Sequence, residues 1–106
     1  MRRDKRIMFN KKLKFHDLIG KTLLVGITYY TKNGDLIERK QFYGKVVSAD
    51  TSGITLLQDS GEKLELPPDL SSTKKAPRGE YRLHSTGETV EDPDFLSTWE
   101  LYKSDK

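Results

Sequence analysis

A mainly β fold is what this sequence predicts: a small, strongly bent antiparallel barrel with a short N-terminal helix and a C-terminal β extension. Three observations carry that expectation. Apolar residues alternate with period two over several short stretches. Turn residues (Asn-Gly, Asp-Thr-Ser-Gly, Asp-Ser-Gly) separate those stretches. One stretch, LIERKQFYGKVVSAD at 36–50, is too long to lie flat in a small sheet and carries a glycine near its middle. At 106 residues the chain makes one domain with a small core. Residues 1–14 are expected to be a basic, disordered arm and residues 15–106 the barrel, with a hairpin extension at 79–102.

Taken in order, FHDLIGK at 15–21 sets Phe15, Leu18 and Ile19 at helical spacing and stops at Gly20, a favoured helix terminator, so one or two helical turns are expected. KTLLVGITYYT is the first strand, with Leu23, Val25, Ile27 and Tyr29 on one face and Leu24, Gly26, Thr28 and Tyr30 on the other. Asn33-Gly34 tolerates positive φ and predicts a two-residue hairpin turn. The returning strand exceeds the length of about ten residues that such sheets hold flat. Gly44 removes the side chain that would obstruct a sharp corner, so this one strand is expected to serve both halves of the barrel. GITLLQ returns as a third strand and KLEL, with Leu64 and Leu66 on one face, as a short fourth. Pro67 and Pro68 cannot donate to a ladder and end it. PPDLSSTKKAPRG reads as a loop, EYRLHS with TV as a strand and turn, and DFLSTWELY as a last strand with Phe95, Ser97, Trp99 and Leu101 facing one way.

The stretch LIGKTLLVGITYYTKNGDLIERKQFYGKVVSADTSGITLLQD, residues 18–59, resembles the first sequence motif of Sm and Sm-like proteins. Gly20-Lys21, Gly34, and Gly44-Lys45-Val46 through Asp50 stand at the motif's places. The resemblance implies a barrel of the Sm-like or SH3-like type, RNA as ligand class, and assembly into a ring. Positions at which such RNA binders contact a base are changed. Ser52 stands where an aromatic ring or His would stack, Gly53-Ile54 where Met-Asn is expected, and LELPPDL replaces hydrophobic-Arg-Gly. Base stacking, worth roughly 1–3 kcal/mol per base, is therefore missing. Any nucleic-acid binding is expected to be salt-sensitive and indifferent to sequence. Asp50 matches the motif, and an Asp at a turn also caps neighbouring amides. Pro67 and Pro68 shorten the edge through which an Sm ring would join, so a ring is not expected.

The formal charge of +3 is unevenly spread: residues 1–14 sum to +6 and the rest to −3. Arg2, Arg3, Lys5, Arg6, Lys11, Lys12 and Lys14 would attract phosphate backbones by counterion release, the plain alternative being a solvated tail. Lys74 and Lys75 in the TKKAPR loop form a second basic patch, and Asp50 completes the candidate nucleic-acid set. Tyr29, Tyr30 and Tyr43 fall on adjacent strands near Arg39 and Lys40. Such rings stack on bases, anchor a protein partner, or support the sheet as cross-strand pairs.

The absence of cysteine excludes thiolate catalysis, Cys-based zinc sites and disulfides, and a reducing cytoplasm is the expected location. Neither His16-Asp17 nor His84-Ser85 has the spacing of a nucleophile, base and orienter. Glu91, Asp92 and Asp94 in EDPDF lack the ligand series of a calcium loop and read as a solvated turn. DSGE and STGE, with one glycine each, do not cradle a phosphate. No catalytic residue, metal or cofactor is expected, and no apolar run approaches the roughly 18 residues of a membrane span. The expected function is a non-enzymatic module binding RNA or single-stranded nucleic acid through its basic arm. The alternative is a protein-interaction module, an adaptor or an antitoxin- or immunity-like protein, presenting its sheet edge, its tyrosines or the acidic residues Glu88, Glu91, Asp92 and Asp94.

Overall fold

The structure is a computed structural model that describes residues 13–84 and 86–103. Its strands are β1 (Thr22–Tyr30), β2 (Leu36–Asp50), β3 (Gly53–Gln58), β4 (Lys63–Leu66), β5 (Lys74–Lys75), β6 (Glu80–Arg82), β7 (Thr89–Glu91) and β8 (Phe95–Tyr102). Six of them form one sheet in the order β4-β3-β2-β1-β8-β5, and β6 pairs with β7 as a separate hairpin. The mainly β expectation therefore holds. The expected closed barrel is not found, because β4 and β5 lie at opposite ends of the sheet and do not pair. Both are too short to bridge the gap: Pro67 follows β4 directly, and β5 has two residues.

The all-antiparallel expectation is also corrected. β8 runs parallel to β1, in register from Leu23↔Phe95 to Tyr30↔Tyr102. Parallel neighbours need a long connection, and residues 31–94, which comprise the β2–β4 meander and then the segment carrying the β6–β7 hairpin, provide it. A reciprocal clamp sets the register. Asp94 Oδ2 accepts from the Thr22 N–H (2.9 Å) and hydroxyl (3.1 Å), while Thr22 Oγ1 accepts from the Asp94 N–H (2.9 Å). The EDPDF turn is thus structural and not merely solvated. Asp92, at φ 46, a conformation Asp tolerates better than most residues, accepts the Gly79 N–H at 2.8 Å.

Instead of a helix, Phe15–Asp17 makes a single 3₁₀ turn. It winds no further because the chain is already docked on β2: Gly20 N–H donates to Val46 O (2.8 Å) and Val46 N–H to Lys21 O (2.9 Å). Leu18 is fully buried, whereas Ile19 is 46% exposed, so helical spacing did not place both inside. The β1–β2 turn has three residues, Lys32-Asn33-Gly34, where two were expected. Gly34 N–H donates to Thr31 O (2.9 Å), Thr31 N–H to Asp35 O (2.8 Å), and Gly34 sits at φ +96 as a three-residue loop of this kind requires.

β2 is shared as anticipated. Its first part, Leu36 to Lys45, pairs with β1 and its last part, Gly44 to Asp50, with β3. A Cβ built on Gly44 would collide with the Leu57 carbonyl, so glycine is needed where the two partner strands overlap. One face of the sheet carries the core: Leu23, Val25 and Ile27 of β1, Val46 and Ala49 of β2, Ile54 and Leu56 of β3, Leu66 of β4, and Phe95 and Trp99 of β8, with Leu18. The Trp99 indole N–H donates to Ser97 Oγ (3.0 Å), which satisfies both buried polar groups. On the opposite face Leu24 packs with Leu83 and Val90 of the β6–β7 segment, joined by the half-buried Tyr43, Tyr81 and Leu96.

Two substitutions test these constraints by urea denaturation. Gly44→Ala is expected to cost about 1–3 kcal/mol, as overpacking does. Thr22→Val, which keeps the shape but removes the hydroxyl from the Asp94 clamp, is expected to cost about 1.5–3 kcal/mol, the range for a hydrogen bond to a charged group.

Candidate functional site

The registers of β2, β1 and β8 arrange the face opposite the core into four rows, each crossing the three strands. They are Tyr43–Leu24–Leu96, Gln41–Gly26–Thr98, Arg39–Thr28–Glu100 and Leu36–Tyr30–Tyr102. The β6–β7 hairpin covers the first row. Gln41, Gly26 and Thr98 of the second row and Arg39 and Thr28 of the third line a cleft of ≈ 410 Å³ together with Ile27, Lys40 and His84, while Glu100 lines the adjoining one. Its wall is tied to its floor, since the His84 backbone N–H donates to Gln41 Oε1. That bond fixes the amide's orientation: an N–H needs an oxygen acceptor, so Gln41 keeps its NH₂ as a donor.

The fourth row is the exposed tip of the ribbon. Tyr30 and Tyr102 stack with centroids 5.0 Å apart and planes 21° apart. A register shift between Tyr29 and Tyr30 brings Leu36 opposite Tyr30. Leu36 and Tyr102 are 54% and 60% exposed, and Ile37 beside them is 42% exposed. Alternation separates Tyr29 from this row, as expected. It lies on the core face, with Lys103 Nζ 5.6 Å from its ring centroid. Arg39 shares the open face with Tyr30, while Lys40, opposite Ile27 on the other face, ion-pairs with Glu38 at 3.9 Å.

β8 also has a free edge. β5 pairs only with Phe95 and Leu96. Beyond them the Lys103 N–H donates to Tyr30 O (2.8 Å), so the odd-numbered residues of β8 turn their peptide groups to β1. Thr98, Glu100 and Tyr102 therefore direct theirs away from the sheet. Ser72 Oγ accepts the Thr98 N–H (3.3 Å), and on the side away from β1 no strand among the described residues pairs with β8 past Leu96. Asp69 and Ser71 line the adjoining cleft with Thr98 and Glu100. Asp69 accepts the Ser71 N–H (2.9 Å), and that bond, with the Ser71 side chain behind it, holds the carboxyl below the usual aspartate range.

Of the expected nucleic-acid residues, Arg2, Arg3, Lys5, Arg6, Lys11 and Lys12 lie outside the described residues. Lys14 precedes the 3₁₀ turn, and its backbone N–H donates to Asp17 Oδ2 (2.9 Å). Lys74 and Lys75 are exposed on β5. Lys75 shares a cleft with Leu13, Lys21, Asp17 and Asp94, so the arm joins the body beside the β5 lysines. Asp50 is not brought to that group. It lines a separate cleft with Ser48, Ser52 and Glu65, and its Oδ1 accepts the Ser52 N–H (2.8 Å) as a turn cap.

Gly26, Gln41, Thr98 and His84 were not singled out together from the sequence. The one signal pointing at the cleft was a glycine inside an otherwise apolar strand. No family model matches the chain, and neither curated proteins nor solved structures match it. Among the described residues no helix is long and apolar enough to cross a membrane, and no group of three or more His, Cys, Asp and Glu is placed to hold a metal ion. Gln41→Ala, which removes the tie between cleft wall and floor, is expected to cost about 0.5–1.5 kcal/mol and to speed amide exchange at His84 while leaving the β1 amides protected.

Proposed function

We propose that this protein is a non-enzymatic interaction module that takes an extended strand of a partner polypeptide along the free edge of β8. The observation that carries this reading is the apolar row Leu36–Tyr30–Tyr102, with Ile37, which crosses the ribbon and reaches that edge at the exposed Tyr102. Main-chain groups of Glu100 and Tyr102 would supply hydrogen bonds and the row would supply apolar contact, the two ingredients of strand addition. Exposed apolar residues gathered in one place, unlike scattered ones, mark interaction surfaces. A partner strand here leaves the β4 edge at the other end of the sheet untouched, where Pro67 and Pro68 discourage pairing.

The second reading is nucleic-acid binding through the basic arm. It is favoured by the junction of the arm with Lys21 and Lys75 at one cleft. An Sm-like or SH3-like kinship belongs to this second reading. The long β2 divided between two partners across Gly44 supports it, as do the motif residues from Gly20 to Asp50.

Photocrosslinking in the native host separates the two. A benzophenone amino acid in place of Tyr102 is expected to give a discrete adduct with one protein, and the same probe in place of Lys63 on β4 none. Equal labelling from both positions, or none from Tyr102, counts against the strand-addition reading. In parallel, single-stranded RNA is titrated against the full chain and against a chain lacking residues 1–14, at low and at physiological salt. Affinity that is salt-dependent and lost with the arm would shift the conclusion to the second reading.

A further inference from the structure

Gly26 is the one glycine of the eight whose presence neither backbone nor packing explains. Six others have positive φ, and Gly44 is pressed against the Leu57 carbonyl. Gly26 lies in the middle of β1, flanked by β2 and β8, at a φ open to any residue, and a Cβ built on it meets nothing within 4 Å. A glycine there weakens the strand relative to alanine; the pairing shows no register shift at Gly26 on either side, so of the uses of a strand glycine, a bulge does not apply and close approach of another group to the backbone does. Nothing among the described residues fills that space. It is the floor of the ≈ 410 Å³ cleft.

Ile27, Lys40 and His84 complete the lining of this cleft, and the polar side chains beside the floor are Gln41, Thr28, Thr98 and Arg39. Gln41 offers its NH₂ as a donor, its oxygen being turned to the His84 N–H. Thr28 and Thr98 contribute hydroxyls on either side of Gly26. Arg39 supplies a guanidinium with no ion-pair partner among the described residues. A planar guanidinium beside amide and hydroxyl donors matches a carboxylate. Glu100 stands in the same row as Arg39, on the far side of Thr28, about 10 Å away by strand spacing. Its negative charge works against a polyanion and leaves room for a singly charged head group.

We propose that the cleft above Gly26 is a carboxylate-binding site, with Arg39 as its cation and the missing side chain of Gly26 as its opening. The carboxylate is borne either by a small free acid or by a polypeptide. This goes beyond the strand-addition reading and does not depend on it, since neither Tyr102 nor the main-chain groups of Glu100 and Tyr102 take part.

The test is an NMR titration of the full-length ¹⁵N-labelled protein with sodium benzoate, with a blocked glutamate-containing tripeptide, and with sodium phosphate, each against sodium chloride at equal ionic strength. Saturable shifts are expected at the Gly26, Thr28 and Thr98 amides and the Gln41 side-chain NH₂ with at least one carboxylate probe. Benzoate alone would indicate a free acid and the tripeptide alone an acidic side chain. Arg39→Gln is expected to weaken binding about tenfold or more. Gly26→Val should abolish it with a well-dispersed spectrum, and Gly26→Ala serves if valine perturbs the fold. Shifts no larger than those from chloride would overturn the proposal, as would saturation by phosphate alone or binding that survives both Arg39→Gln and the Gly26 variant.

Discussion

The parallel pairing of β1 with β8, set by the clamp between Thr22 and Asp94, is the constraint on which the rest of this structure depends. Without β8, β1 would be an edge strand and the core would lack Phe95 and Trp99. With it, β1 becomes the centre of a three-stranded ribbon carrying apolar residues on one face and a graded series of rows on the other. The clamp joins residues 72 apart in sequence, so closing it orders a long connection, and its stability is coupled to that of the β6–β7 hairpin lying within that connection.

A second constraint shapes the sheet on the other side of β1. Glycine at position 44 allows β3 to come against β2 while β1 still occupies its other edge. Further on, between Val46 and Ser48, a register shift leaves Val47 unpaired, and such bulges raise local twist. One continuous core then draws side chains from β4 at one side and β8 at the other. That gathering does what closure would do for burial without joining the edges by hydrogen bonds. The two ends are short, and short ends blunt the hazard of edge-to-edge association. The longer exposed edge is the distal half of β8.

Polarity is graded over the face opposite the core. Where the β6–β7 hairpin sits, the row beneath is apolar and covered. Where it stops, the next rows change to Gly26, Gln41, Thr98, Thr28, Arg39 and Glu100, and at the tip the face becomes aromatic and aliphatic again, with Leu36 and Tyr102 exposed among the described residues. A covered apolar row and an exposed one are thus separated by a cleft on the same three strands, and the covered row stabilises the hairpin that lies on it.

Local order was legible in the sequence because alternation and turn chemistry act over a few residues. The faces of β1 and β8, the end of β4 at Pro67, the shared β2 and the turn-capping role of Asp50 all follow from neighbours along the chain. The loop of Lys32-Asn33-Gly34 was misjudged by one residue, because Thr31 and Asp35 added a pair that Asn-Gly alone does not announce. Tertiary structure alone decided what lies beside what. Period-two patterning assigns a residue to a face but not a strand to a neighbour, so an open sheet and a closed barrel share one pattern, and a parallel β8 reads like an antiparallel one. The cleft belongs to this second kind of information: Gly26, Arg39, Thr98 and His84 meet only because three strands and a hairpin, distant in sequence, are brought into register by hydrogen bonds such as those between Thr22 and Asp94.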